Sequence, residues 1–271
     1  MSAGFRARGR PTRYVALGDS VTEGVGDADH RRPHGWRGWA DRVAEELAGS
    51  TPVDYANLAV SGRKVKQVVG EQVELAIALD PDLVTVLAGG NDLLGPRIDL
   101  DAIADHLDEA VVRLTTATSA QVVLFTLPDL GEWPVLRPLR PRVVGLNARI
   151  RTIAVTHGTA MVDLWRIKGW VRHAVLGSDR LHVNTAGHRW IAAATLDALG
   201  IAHGVDRTAP LIPATGWLRQ RADDLIWFRT HLAPRIARSI AGRPLGANTT
   251  PRYPDLIPVR EISDLEDRRP A

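Results

Sequence analysis

Five short, mostly apolar runs, each separated from the next by a longer amphipathic stretch, constrain this chain more than any other feature. They read RYVAL (13–17), VDYANL (53–58), DLVTVLA (82–88), QVVLFTL (121–127) and TAMVDL (159–164). The runs are nearly continuous rather than strictly alternating, the pattern of parallel strands covered on both faces. The stretches between them, at 36–48, 65–79, 100–118 and 141–157, carry helical spacing. Such alternation predicts an α/β fold, a doubly wound, flavodoxin-like three-layer sandwich with about five parallel strands.

Sheets of this kind bind ligands beyond the carboxyl ends of their strands. After the first run comes GDS (18–20), after the second AVSGR (59–63), after the third GGND (89–92) and after the fourth LPDLGEWP (127–134). The last core helix is announced by SDRLHVNTAGHRWIAAATLDAL (178–199), in which Asn184 or Thr185 can cap a helix running to Leu199. All the conspicuous polar residues therefore fall on one rim.

The chain divides into a leader (1–11), a core domain (12–200), a helical appendage (201–242) and an extended or partly disordered tail (243–271). In the appendage, WLRQRADDLIWFRTHL (217–232) has apolar residues at 218, 225, 228 and 232, and Pro234 breaks or restarts the helix. Tyr253, Leu256 and Ile257 offer the tail a way to pack on the body. Net charge is only +3, and the arginines are spread among many acids, so no nucleic-acid partner is expected. No run approaches the ~18 apolar residues of a membrane span. The brief YVALG after a charged N-terminus is too short for a signal-peptide core, so a cytoplasmic protein is expected.

The sequence has no cysteine, which excludes disulfides and thiolate metal sites and leaves Ser or Thr as the natural nucleophile. A serine hydroxyl needs a positioned base, normally a histidine oriented by a carboxylate. Asp179 and His182 lie three residues apart just before a helix, and one turn of chain can hold them together. The elbow G-x-S-x-G does not fit Ser20, because position 22 is Thr. Acyl transfer also needs donors for a developing oxyanion. Gly62 and Ser20 can offer backbone N–H groups and Asn91 its amide.

Taken singly, each of these residues has a plainer reading. Ser20 is a helix cap, Gly62 a turn glycine, Asn91 and Asp179 caps, and His182 a buried, hydrogen-bonded imidazole. His188, inside the capped helix, reads as structural, as do Glu23 and Asp92 beside the site. His30 and His34 lack a third ligand, so no metal or other cofactor is expected. Trp133, after the fourth strand, is a candidate lining residue of the substrate pocket.

In combination, GDSVTEG, NLAVSG, GGNDLL and DRLHVNTAGH resemble, in order and spacing across residues 12–200, the SGNH (GDSL-type) hydrolase superfamily. Its four namesake residues match Ser20, Gly62, Asn91 and His182, with Asp179 as the acid, and Val21 stands where the first motif has Leu. The resemblance implies a serine hydrolase that cleaves acyl or acetyl esters of a lipid, sugar or small metabolite. Ser20, Asp179 and His182 would form the catalytic triad, and Ser20, Gly62 and Asn91 the oxyanion hole. Two alternatives stand beside it: an acyltransferase using the same triad, and a non-catalytic protein that binds ligands at the strand-end rim. Residues 201–271 lie outside the resemblance.

Overall fold

The computed structural model describes residues 10–129, 131, 136–170, 174–177, 179–212, 223–241 and 250–262. The five apolar runs form β1 (Thr12–Gly18), β2 (Val53–Asn57), β3 (Leu83–Leu87), β4 (Gln121–Phe125) and β5 (Ala160–Val162). Tyr14, Val15, Ala16 and Leu17 of β1 are wholly enclosed, as continuous apolar strands in a covered parallel sheet must be. A sixth strand, β6 (Tyr253–Pro258), comes from the C-terminal tail.

The sheet order is β5-β4-β3-β1-β2-β6. The first five strands are parallel, and β6 runs antiparallel to β2 on the edge. From β1 the chain moves outward to β2, then crosses back to β3 on the other side. The crevice between the carboxyl ends of β1 and β3 is thus the topological switch point, where such sheets bind ligands.

Around the sheet lie α1 (Ser20–Glu23), α2 (Trp39–Ala48), α3 (Val65–Ala78), α4 (Leu100–Ala117), α5 (Arg140–His157) and α6 (Thr185–Ala198). Helix α2 packs with α6, and α4 packs between α3 and α5. Asn184 caps α6 by accepting from the N–H groups of Ala186 and Gly187, and Asp99 caps α4 in the same way.

Two buried carboxamides from helices hydrogen-bond to the backbone at the ends of β1 and β4. Gln72 of α3 accepts from Gly18 N–H and donates to Gly18 C=O, both at 2.9 Å. Asn147 of α5 does the same for Leu127, at 2.7 and 2.9 Å. A Cβ on Gly18 would stand 2.3 Å from the Leu87 carbonyl oxygen, so only glycine lets β1 turn towards α1 here.

The C-terminal region carries the expected helical part, but not from residue 201, and its tail supplies a strand. Residues 201–212 carry no helix and run as a strap, tied by Trp190 Nε1–H to the Arg207 carbonyl at 2.8 Å. Where the described residues resume at 223 the chain is helical, passes through a π-turn at Phe228–Leu232 and continues as α7 (Ala233–Ile240). Pro234 does not end the helix. The π-turn immediately before it accommodates the missing N–H and the ring, and Ala233 N–H reaches back to Phe228 C=O. Trp227 and Leu232, five residues apart across the π-turn, are both buried, while Leu225 is exposed.

Candidate active site

Ser20 opens α1 directly after β1, and Asp19 caps that short helix by accepting from Val21 N–H at 3.1 Å. The hydroxyl is therefore displayed at the switch point rather than spent as the cap. His182 Nε2 lies 2.9 Å from Ser20 Oγ, although the two are 162 residues apart in sequence. On its other side, His182 Nδ1 lies 2.6 Å from Asp179 Oδ2. A carboxylate only accepts, so Nδ1 carries the proton and Nε2 is left to accept from the serine hydroxyl.

The pair is local, as its spacing suggests. Asp179 Oδ1 accepts from the N–H groups of Leu181 and His182, each at 3.0 Å, closing a tight turn. Arg180 at its centre has φ of 49°, an uncommon conformation for a non-glycine residue. Burial works to raise the Asp179 carboxyl, but the His182 ring and the two backbone N–H groups outweigh it. The carboxyl is held well below the usual carboxylate range and stays ionised.

Asn91 follows β3 and is brought to the same place. Its Nδ2 donates to Asp19 Oδ2 at 3.0 Å and to the Arg63 carbonyl at 3.1 Å. Gly62, at φ of 77°, lies in a loop pinned on both sides. Glu23 accepts from Ser61 N–H at 2.9 Å and from the Ser61 hydroxyl, and Asn91 holds the Arg63 carbonyl. Burial pushes Asp19 up to about 6 against the hydrogen bond from Val21. Asp92, also raised to about 6 chiefly by burial, accepts from Val65 N–H at 3.1 Å at the start of α3.

Ser20, Asn91 and His182 open on a cavity of about 180 Å³, while Gly62 does not line it. Its walls include Leu94, Leu127, Leu136, Leu139, Val143 and Leu181. A second apolar cavity of about 80 Å³ shares Val21, Gly90, Leu127, Pro128 and Leu181 with the first and continues towards Trp170. Trp133, the candidate lining residue, lies outside the described residues.

Several further residues surround the site. Glu23 is fully buried and meets His34 Nδ1 at 3.1 Å, which ties His34 into the site's support. His188 accepts from Trp39 N–H and donates from Nε2 to the Val25 carbonyl, each at 3.2 Å. Burial draws its pKa down to about 3, fixing it as a neutral strut. Arg235 of α7 also lines the larger cavity, although its segment reads only as an appendage in sequence. Among the described residues no group of three or more metal-ligating side chains is found.

A hydroxyl, an imidazole and an ionised carboxylate in series allow a proton to leave the hydroxyl for the ring while the carboxylate steadies the resulting cation. The model of the GDSL-like lipase/acylhydrolase family matches residues 16–190, and the chain belongs to that family, an SGNH/GDSL-type carboxylic ester hydrolase. It is similar to an acetylxylan esterase of Geobacillus stearothermophilus, 26% identical over 214 residues, which span 71% of this chain and 95% of that protein. Among solved structures it resembles that organism's acetylxylan esterase Axe2, with 22% identity, TM-score 0.57 and coverage of 70% of this chain and 95% of that one. It also resembles LAE5, an α/β hydrolase from the metagenome of Lake Arreo, with 24% identity, TM-score 0.58 and coverage of 75% and 99%. These likenesses support the fold. Helix α7 and strand β6 fall beyond the span of the family match.

Proposed function

We propose that Ser20 is the nucleophile of an ester hydrolase, with His182 as base and Asp179 as its orienting acid. The observation carrying this reading is the unbroken hydrogen-bond series from Asp179 through His182 to Ser20, opening on an apolar cavity. Ser20 Oγ attacks the ester carbonyl as His182 Nε2 takes its proton, and ionised Asp179 stabilises the imidazolium. The tetrahedral oxyanion accepts from the N–H groups of Ser20 and Gly62 and from the Asn91 amide. For Asn91 this means passing one N–H from Asp19 or Arg63 to the substrate oxygen. Each such donor is worth about 2.7–4 kcal/mol of barrier. His182 returns its proton to the leaving alcohol, and water, activated in the same way, releases the acid and restores Ser20.

The leucine-rich walls favour an ester whose acyl chain extends beyond acetyl. An acetylated sugar is the second reading, favoured by the acetylxylan esterase relative. Purified protein is expected to hydrolyse short p-nitrophenyl esters, and Ser20→Ala to reduce kcat by about 10³-fold or more with little change in Tm. Undiminished turnover by that variant would end the nucleophile assignment. An acyl-chain-length series beside acetylated xylo-oligosaccharides separates the two substrate readings.

A further inference from the structure

Arg235 is the one charged side chain around the larger cavity whose hydrogen-bonding capacity is unspent among the described residues. Asp19 accepts from Val21 N–H and Asn91, Asp129 is paired with Arg140, and His182 is bonded on both nitrogens. The nearest acidic oxygen to Arg235 is Asp179 Oδ2, 3.9 Å from Nη2. That distance is beyond a hydrogen bond, and the same oxygen already accepts from His182 Nδ1. The guanidinium carries five N–H donors in a planar fork suited to carboxylate or phosphate. Its side chain is only 25% exposed, so the fork is largely withdrawn from bulk water while it still lines the cavity.

The helix presenting Arg235 is anchored rather than loosely apposed. Trp227 Nε1–H donates to the Asp179 carbonyl, Arg180 pairs with Asp224 at 2.6 Å, and Trp227 and Leu232 pack on Leu136. The cation is thus held at a set place in a wall otherwise rich in leucine, beside Ser20 and His182.

We propose that Arg235 reads a negatively charged group on the ester, a carboxylate or a phosphate, so that the preferred substrate is an anionic ester rather than a neutral one. The proposal rests on the reading of Ser20 as nucleophile for its chemistry, and on α7 for its selectivity. An anionic oxygen at this position completes the fork with charge-assisted hydrogen bonds.

The test compares kcat/KM of the full-length protein on matched ester pairs. Mono-4-nitrophenyl glutarate against 4-nitrophenyl valerate places a carboxylate on the acyl side. Butyryl glycerol phosphate against monobutyrin places a phosphate on the alcohol side. The native protein is expected to prefer the anionic member of one pair by about tenfold or more, the scale of one charge-assisted contact. Which pair shows the preference identifies the source of the charge. Arg235→Gln is expected to bring that ratio close to unity and Arg235→Lys to keep part of it. Equal rates within both pairs in the native protein, or a ratio unmoved by Arg235→Gln, would overturn the proposal. So would an equal fall for neutral and anionic esters, which is the mark of a residue that merely positions the Asp179 loop. Ser20→Ala, assayed on the neutral esters, tests the underlying reaction separately.

Discussion

Glu23 links the nucleophile's helix to the loop that carries Gly62. Its carboxylate is fully enclosed, and one oxygen holds both the N–H and the hydroxyl of Ser61 while the other meets His34. Removing it strands a buried N–H next to Gly62, which costs about 1–3 kcal/mol. Glu23→Ala is therefore expected to lower both Tm and kcat, while Glu23→Gln, which can still accept from Ser61, recovers most of the stability. Thermal melts and p-nitrophenyl ester kinetics on the two variants check this. Ser20, Asn91, Asp179 and His182 were readable as candidates because each sits where local sequence announces a strand end or a helix start. Glu23 is readable as a structural residue beside the site, but Gln72 and Asn147 are not readable as supports. A polar residue inside a helical pattern looks solvent-facing until packing turns it towards a strand end.

At the level of elements, the turn at 179–182 and the helical segment after residue 223 behave as one unit. Arg180 adopts its left-handed conformation while paired with Asp224, and Trp227 fixes the Asp179 carbonyl. Asp224→Ala removes the Arg180–Asp224 ion pair from that turn. Its expected effect is a fall in kcat on the order of tenfold with a small change in Tm, since a displacement well under 1 Å at a catalytic group is enough for such a loss. An unchanged kcat would show that the turn holds its shape alone. The apolar stripe at 218, 225, 228 and 232 pointed to a helix here but not to its buried face. The π-turn at Phe228–Leu232 adds a residue to one turn and rotates the contact surface onto Trp227 and Leu232. Periodicity assumes a constant 3.6 residues per turn and cannot register that step.

Across the whole molecule, the C-terminal segment closes the sheet edge. Strand β6 pairs with β2, Tyr253 packs against Tyr55 with ring centroids 5.7 Å apart, and Arg252 inserts between Asp41 and the Trp36 carbonyl. Arg252 and Asp41 are both removed from solvent, and deleting one partner of such a pair typically costs about 3–5 kcal/mol. Arg252→Ala is expected to destabilise by about that amount in chemical denaturation, while Arg252→Lys loses the forked contact but keeps the charge and falls between. A change within error would show that Asp41 finds other partners. The sequence by itself determined the doubly wound parallel core, the rim on which chemistry gathers, and the local Asp179–His182 pair. These follow from short-range patterns of apolar spacing, strand ends and turn residues, whose physics acts within a few residues. Only the tertiary structure decided that the tail becomes an antiparallel edge strand, that buried carboxamides finish the strand ends, and that α7 brings Arg235 to the cavity of Ser20. Each of those depends on contacts between segments far apart in the chain, where burial and hydrogen-bond satisfaction select among options that local sequence leaves equally open.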